Sequence, residues 1–320
     1  RWIIRHLFLY LAIVAGISVA VSILLARGEL ARAIEGFPLS TAAAVLSLST
    51  LNYAIRFAKW DRLLADSSIR IPRGSSALIY FACLSMVVTP ARLGELYKLV
   101  FLRRLHGISP SRSLPPLILE RATDVLALAA LCAAQPFAGP TRLAAVAGTA
   151  LLLVGLGALL AAPVTRRPFI LIAARLPLLR SRVDRIEDLI DGHAKLLVPR
   201  SLAPNLALSI LAWWAECIGL WLICRGLGAS LALGDATWIY ATATLLGNLT
   251  FLPGGLGGTE VALKTFLQRV GVVGSTALGA TLLVRGATLW FAVVLGLAVT
   301  LTGRKHLHWR EVQADAAAES

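Results

Sequence analysis

The chain has 320 residues, of which 58% are apolar and only 15% are charged, below the share of about 25% that is typical of soluble domains. These proportions exclude a disordered segment and an ordinary soluble enzyme. The net charge of +14 fits basic cytoplasmic loops that face anionic lipid, and we expect no nucleic-acid partner. Several apolar runs of about 20 residues can cross a hydrocarbon core of about 30 Å, so the sequence predicts an all-α polytopic membrane protein.

Uninterrupted apolar segments recur along the chain, and each has the length of a transmembrane helix. Six of them are predicted to cross the membrane, at 7–26, 39–58, 114–137, 143–162, 203–224 and 277–301. Arg56 and Lys59 stand at the end of the second segment. Long basic side chains at such a position usually extend to the membrane surface, and we interpret both residues in this way.

Two further hydrophobic stretches, 75–100 and 236–270, are interrupted. A proline and three charged residues interrupt the first, and a proline followed by clustered glycines interrupts the second. Proline and clustered glycine end helices, and charges are costly in lipid. Because basic residues on both sides of 75–100 favour a cytoplasmic location for both its ends, this stretch is predicted to be re-entrant from the inside.

The basic loop 163–202 and the basic tail are also predicted to be cytoplasmic, as are both chain termini. The two full helices between loop and tail already make an even number of crossings, so 236–270 should be re-entrant from the outside. The predicted fold is all-α, with six full transmembrane helices and two oppositely inserted re-entrant helical hairpins. The predicted boundaries are 1–302 for a single transmembrane domain, 39–137 and 203–301 for its two repeat units, 163–202 for an amphipathic cytoplasmic connector and 303–320 for the tail.

The two interrupted stretches share a sequence motif. The first reads Pro90-Ala91-Arg92-Leu93-Gly94-Glu95 and the second reads Pro253-Gly254-Gly255-Leu256-Gly257-Gly258-Thr259-Glu260, so both contain Pro-x-x-Leu-Gly followed by a glutamate. An arginine follows each proline at a similar distance, Arg121 after 31 residues and Arg285 after 32. With the predicted topology this indicates an inverted repeat, the plan of secondary transporters whose substrate site lies where the broken helices meet.

Charged residues at membrane depth predict a site for an anionic headgroup, because arginine binds phosphate bidentately and helix N-termini favour anions. The predicted substrate-binding residues are Arg92, Glu95, Glu120, Arg121, Asp124, Asn248, Gly254, Gly255, Gly257, Glu260 and Arg285. Glu95 and Glu260 either begin new helices, pair with an arginine or carry a proton, and Asn248 either touches substrate or bridges helices. Gly254, Gly255, Gly257 and Gly258 are expected to permit positive φ and close backbone approach. For any single charge, the alternative is a structural salt bridge that closes the bundle.

The sequence has no signature of metal or enzyme chemistry. The four cysteines lie in apolar segments without a Cys-x-x-Cys pair, and the five histidines lie in loops or tails. No His-Glu-x-x-His or Gly-x-Ser-x-Gly motif occurs. We therefore expect no metal, no cofactor and no catalytic residue.

The chain contains three sequence blocks in the order Pro90–Glu95, Glu120–Asp124 and Leu252–Glu260. Together they resemble the lysylphosphatidylglycerol synthase transmembrane-region family, whose members are also called flippase-like proteins. The resemblance extends from residue 7 to residue 301. It implies a multi-pass protein of the bacterial inner membrane that translocates lipid rather than synthesising it. In the fused enzymes lysyl transfer belongs to a separate soluble domain, for which the 19 residues after Leu301 leave no room.

The leading hypothesis is a lipid flippase that moves an anionic phospholipid or a polyprenyl-phosphate-linked lipid between leaflets. Its headgroup would lie between the two hairpins while the acyl tails remain in the bilayer. A second hypothesis is a non-transporting membrane partner of a lipid-synthesising enzyme or a glycosyltransferase. A third is a secondary transporter of a small soluble anion. The sequence leaves the lipid, the energy source and the oligomeric state open.

Overall fold

The computed structural model of the chain describes residues 36–89, 94–134, 189, 192, 196–250, 252–303 and 305–307. Helices joined by short turns make up this part of the chain, and no β-strand occurs in it. The predicted all-helical fold is therefore confirmed for these residues. The predicted helices 7–26 and 143–162, and most of the connector 163–202, lie outside the described residues.

The helices are numbered in chain order. The α-helices of the described residues are α1 (Leu39–Asp66), α2 (Arg73–Cys83), α3 (Tyr97–His106), α4 (Pro110–Ala133), α5 (Pro199–Gly226), α6 (Leu233–Leu249), α7 (Gly258–Arg269), α8 (Gly274–Arg285) and α9 (Phe291–Gly303). A 3-10 turn, Leu84–Met86, follows α2, and another, Pro253–Gly255, lies between α6 and α7. A π-helical turn, Gly286–Trp290, joins α8 to α9 in one continuous helical stretch.

Two helical stretches of the described residues are long and apolar enough to cross a membrane. They are Pro199–Gly226, with a mean hydropathy of 1.8, and Gly274–Gly303, with a mean hydropathy of 2.1. They correspond to the predicted helices 203–224 and 277–301. The helices α1 and α4 have 28 and 24 residues, but charged side chains interrupt their apolar sequences. The count of six crossing helices thus stays a prediction.

Each interrupted stretch contains a break between two α-helices, and residues 90–93 of the first break lie outside the described residues. In 75–100, α2 gives way to a 3-10 turn, and α3 begins only at Tyr97. In 236–270, α6 ends at Leu249 and α7 begins at Gly258. With 17 and 12 residues, α6 and α7 are about 26 and 18 Å long, shorter than a hydrocarbon core of about 30 Å.

The chain divides into two compact units. Unit 1 comprises residues 1–51, 77–97 and 215–320, and unit 2 comprises residues 52–76 and 98–214. In unit 1, α6 packs against α7, and α9 packs against the 3-10 turn of the first interrupted stretch. Gly296 permits this second contact, because a Cβ there would collide with the backbone of Ser85.

Unit 2 is held together by contacts between α1, α4 and the beginning of α5. Leu63, Leu119 and Leu196 form a buried apolar cluster. At the end of α1, the carboxylate of Asp66 accepts a hydrogen bond from the hydroxyl of Ser201 at 2.6 Å. Through this contact, the residues after 58 take part in the packing of unit 2. The helix α1 extends through them to Asp66 and does not end at the predicted boundary, residue 58.

Candidate functional site

The turn of the second interrupted stretch is held by one arginine. Arg285 donates a hydrogen bond from Nε to Oε1 of Glu260 at 2.7 Å and another from Nη2 to the carbonyl oxygen of Gly254 at 2.6 Å. The side chains of Arg285 and Glu260 are 13% and 20% exposed. This hairpin pair, Glu260 and Arg285, therefore joins α7, α8 and the turn that precedes α7.

Helix ends and glycines position the hairpin pair. Glu260 lies in the first turn of α7, where the helix dipole stabilises a negative charge by about 0.3–1 kcal/mol. Arg285 lies at the end of α8, where the continuous helical stretch passes into the π-helical turn. Gly254, Gly255 and Gly257 have φ values of 61°, 68° and 84°. This left-handed region favours glycine, and the positive φ predicted for these three residues is confirmed. The positive φ expected for Gly258 is wrong, because this residue begins α7.

The glycine turn also lies close to its neighbours within unit 1. A Cβ on Gly254 would lie 3.1 Å from Leu289 and 3.4 Å from Val88. A Cβ on Gly255 would lie 2.8 Å from the hydroxyl of Thr259. Since Val88 belongs to the first interrupted stretch, the two interrupted stretches approach each other beside Gly254.

Unit 2 contains a larger group of charges, the ion cluster, which consists of Arg56, Lys59, Lys98, Glu120, Arg121 and Asp124. Asp124 pairs with Lys59 at 2.5 Å, with Arg56 at 2.8 Å and with Arg121 at 3.3 Å. Glu120 pairs through Oε1 with Arg121 at 2.7 Å and through Oε2 with Lys98 at 2.9 Å. Both carboxylates thus use both of their oxygens to bind cations.

Lys59 lies inside the ion cluster and is fully buried. Its ammonium group also donates hydrogen bonds to the carbonyl oxygen of Glu120 at 3.0 Å and to the hydroxyl of Ser209 at 2.8 Å. The interpretation of Arg56 and Lys59 as residues that extend to the membrane surface is wrong. Asp124 on α4 binds both side chains and holds them inside unit 2.

The described members of the ion cluster carry four positive and two negative charges. The side chains of Lys59, Lys98 and Arg56 are 0%, 4% and 12% exposed, and both carboxylates are buried. The side chain of Arg121 is 28% exposed, the largest value in the cluster.

Two tryptophans lie beside cations of the ion cluster. The ammonium of Lys98 is 4.6 Å from the ring centre of Trp60, and the guanidinium of Arg56 is 5.0 Å from that of Trp213. Such cation–π contacts stabilise a positive charge that has lost its water. Both indole N–H groups are buried, and neither finds a hydrogen-bond acceptor among the described residues.

The predicted site residues fall into two groups. Unit 1 contains Glu95, Asn248, Gly254, Gly255, Gly257, Glu260 and Arg285, and unit 2 contains Glu120, Arg121 and Asp124. Glu95 is buried, whereas Asn248 is exposed at the end of α6. Arg92 lies outside the described residues, so its role stays a prediction.

Three members of the ion cluster, Arg56, Lys59 and Lys98, are not among the predicted site residues. Helical spacing could have identified the first two, because positions 52, 56 and 59 lie on one face of a helix and all carry polar side chains. Asn52 donates a hydrogen bond from this face to the carbonyl oxygen of Ala212 at 2.7 Å. No comparable local signal marks Lys98, which follows the break of the first interrupted stretch.

In the described part of the chain, no group of three histidine, cysteine, aspartate or glutamate side chains could hold a metal ion. The four cysteines are buried and form no disulfide with one another.

The whole pattern of motifs matches a known family. The family model described as the lysylphosphatidylglycerol synthase TM region matches residues 8–296. The chain therefore belongs to this family, and the resemblance drawn from its three sequence blocks is confirmed. As a member of this family, it is an integral membrane protein.

Several curated proteins are similar to part of the chain. Two UPF0104 membrane proteins of Methanothermobacter thermautotrophicus are 33% identical over 96 residues and 31% identical over 97 residues. Each alignment covers 30% of this chain and 29% of the relative. A UPF0104 membrane protein of Pyrococcus horikoshii is 27% identical over 108 residues, which are 34% of this chain and 32% of that relative. The alignments thus span less than a third of the curated relatives' own length.

Proposed function

We propose that this protein is a flippase that moves a lipid with an anionic headgroup, either a phospholipid or a polyprenyl-phosphate-linked lipid, between membrane leaflets. The observation that carries the proposal is Arg285, bound to Glu260 and to the Gly254 carbonyl beside the point where the two interrupted stretches approach each other. A phosphate can replace both partners, because a guanidinium group binds two phosphate oxygens with parallel N–H groups. The headgroup then lies between the two hairpins, and the acyl tails stay in the bilayer.

Both interrupted stretches are re-entrant in this proposal, and they insert from opposite sides of the bacterial inner membrane. The short lengths of α6 and α7 support re-entry, because neither helix spans a hydrocarbon core on its own. Broken backbone at membrane depth is tolerated where protein or cavity water surrounds it, which is the condition that a substrate site provides. With both termini in the cytoplasm, the two hairpins form an inverted repeat suited to alternating access.

Glu260 balances the charge of Arg285 while no lipid is bound. Its Oε1 atom accepts the hydrogen bond from Arg285, whereas its buried Oε2 atom has no hydrogen-bond partner in the described part of the chain. A phosphate that takes over Arg285 leaves the Glu260 carboxylate uncompensated, which is unfavourable in a poorly solvated site. Protonation of Glu260, or a movement of α7, removes the cost of this uncompensated charge. Lipid binding is thereby coupled to one of these two changes.

The proposed activity changes the position of a lipid and breaks no bond in it. It is tested with the purified full chain in liposomes that contain fluorescent phosphatidylglycerol, by measuring how fast the label becomes accessible to dithionite. We expect Glu260→Gln and Arg285→Ala each to slow this movement at least about tenfold, which corresponds to about 1.4 kcal/mol. The control is Arg269→Ala, an exposed arginine in the last turn of α7, and it should keep the wild-type rate.

Two outcomes would contradict the proposal. Lipid movement at the wild-type rate in both variants would show that the hairpin pair does not hold the headgroup. No movement of any lipid by the wild-type chain, together with stable co-purification of a lipid-synthesising enzyme or a glycosyltransferase, would instead support a non-transporting partner.

A further inference from the structure

The turn between α5 and α6 borders an open cavity of about 410 Å³ in unit 1. This volume lies within the range of about 300–1,000 Å³ that is typical of sites for small molecules. The lining residues come from the last two turns of α5 and from the segment that leads to α6, and they are Trp221, Arg225, Gly228, Ala229, Ser230 and Leu231. We call this cavity the α5 groove.

Backbone hydrogen bonds at the end of α5 give the α5 groove its shape. The N–H of Gly228 donates to the carbonyl oxygen of Arg225 at 3.0 Å, and the N–H of Ala229 donates to the carbonyl oxygen of Cys224 at 2.9 Å. Gly228 has a φ of 77°, and this combination is the glycine motif that commonly ends a helix. The carbonyl groups of the last turn thus already have donors, and the chain turns back beside the helix.

Among the described residues that line the α5 groove, Arg225 alone is charged. Its exposed side chain forms no ion pair in the described part of the chain, and its guanidinium lies 4.8 Å from the ring centre of Trp221. The indole N–H of Trp221 in turn donates to the carbonyl oxygen of Leu231 at 3.0 Å. The indole is therefore fixed against the segment after the turn, and it holds the cation beside the cavity.

The position of the α5 groove along α5 indicates where its ligand comes from. The chain is an integral membrane protein, and α5 is long and apolar enough to cross a membrane. The last turn of such a helix lies at the membrane surface, the level of the lipid headgroups, where tryptophan and long basic side chains are common. Ile218 and Trp221 precede Arg225 by seven and four residues, so all three share a helix face, and neither Ile218 nor Trp221 is fully buried. This face can carry an acyl chain.

We propose that the α5 groove binds the phosphate of a phospholipid headgroup, with the acyl chains lying along α5. The guanidinium of Arg225 offers several N–H donors in one plane and binds two phosphate oxygens at once. Its single charge matches that of a phosphodiester, and Ser230 carries a hydroxyl group that can donate to a third oxygen. The inference goes beyond the proposed function, because this site lies at the membrane surface and shares no residue with the hairpin pair.

The test separates the phosphate from the acyl chains. The purified full chain is titrated in neutral detergent with short-chain phosphatidylglycerol, with the diacylglycerol of the same chain length and with glycerol phosphate, and bound molecules are counted by native mass spectrometry. The titration is repeated with Arg285→Ala, which removes the headgroup contact of the proposed transport site. In both chains we expect phosphatidylglycerol to bind at least about tenfold more tightly than either other compound, and Arg225→Gln to weaken its binding at least about tenfold.

The matched control is Arg269→Gln. Arg269 is also an exposed arginine in the last turn of a helix, its guanidinium lies 5.9 Å from the ring centre of Phe266, and α7 is likewise followed by a glycine with positive φ, Gly271 at 90°. It does not line the α5 groove. Because this substitution removes the same charge from the same kind of helix end, it should leave the binding of phosphatidylglycerol unchanged.

Three results would overturn the inference. The first is the same affinity for phosphatidylglycerol in Arg225→Gln and Arg269→Gln. The second is equal binding of phosphatidylglycerol and diacylglycerol by the wild-type chain, which requires no variant to fold. The third is glycerol phosphate that binds as tightly as phosphatidylglycerol, which overturns the assignment to a lipid.

The two proposals fail in different ways. Lipid movement that Arg285→Ala slows, with no effect of Arg225→Gln on the binding of phosphatidylglycerol, supports the hairpin site and rejects the α5 groove as a lipid site. Binding of phosphatidylglycerol that Arg225→Gln weakens, in a chain that moves no lipid, supports the α5 groove and rejects the flippase.

Discussion

The hairpin pair and the ion cluster both keep charges inside an apolar protein, but they connect different numbers of helices. Glu260 and Arg285 pair with each other, and the arginine has one further bond to the backbone of a glycine turn. In the ion cluster, the fully buried Lys59 on α1 binds Asp124 on α4, and Lys98 on α3 binds Glu120 on α4. A single ion pair can thus fix the geometry of one turn, whereas a network of ion pairs fixes the packing of several helices.

The largest expected effect comes from removing the carboxylate that holds the ion cluster together. Asp124→Asn deprives Arg56 and Lys59 of their common charged acceptor. Breaking such a buried pair destabilises a protein by about 3–5 kcal/mol, and we expect a clear fall in the thermal unfolding midpoint. The control Asp61→Asn affects a carboxylate 3.5 Å from the exposed Arg73, and should lose less than about 1 kcal/mol. Equal midpoints for both variants would contradict this account of the cluster.

An exchange of arginine for lysine tests the hairpin pair further. Arg285 uses Nε and Nη2 for two different partners, and a lysine ammonium cannot reproduce this fork. We expect Arg285→Lys to lose one charged hydrogen bond, or about 2 kcal/mol of unfolding free energy. Arg269→Lys, which changes an exposed arginine in the last turn of α7, should lose less. Denaturant titration of both variants checks the order, and the reverse order would be inconsistent with the two geometries.

The smallest of the three effects concerns the glycine turn. Gly254→Ala would place a Cβ on a residue with a φ of 61°, at 3.1 Å from Leu289. The left-handed backbone alone costs about 1–2 kcal/mol for a residue with a Cβ. The matched control Gly286→Ala has a φ of −58° and nothing within 4 Å of the added atom, so its stability should stay within about 1 kcal/mol of the wild type. If both variants unfold at the same denaturant concentration, the turn is not strained.

The breaks in the helices could be predicted from the sequence because their causes are local. Proline and clustered glycine before Gly258 end one helix, and the polar segment before Tyr97 delays the start of another. The partner of Glu260 was harder to predict. Its place in the first turn of α7 and its contact with Arg285, 25 residues further along the chain, agree with two of the three predicted roles, and the role as a proton carrier stays a prediction.

The ion cluster could be predicted only in part. Glu120 and Asp124 are four residues apart and share a face of α4, so their proximity follows from helix geometry. Lys59 is 65 residues from Asp124, and Lys98 is 22 residues from Glu120, and both approach from other helices. Tertiary packing decides such contacts, and for this reason the hydrophobic pattern of α1 suggested a surface position for a lysine that is buried.

The π-helical turn Gly286–Trp290 has a consequence for how the chain tolerates changes in length. Such a turn accommodates one residue more than a regular turn, and each residue of an α-helix rotates the chain by about 100°. Deleting one residue there would therefore restore a regular helix and keep Arg285 and Gly296 on their present faces. Regularising the turn at its present length would instead rotate Gly296 by about 100°, away from the backbone that it contacts. The extra residue therefore determines the angle between Arg285 and Gly296 around the axis of this continuous helical stretch.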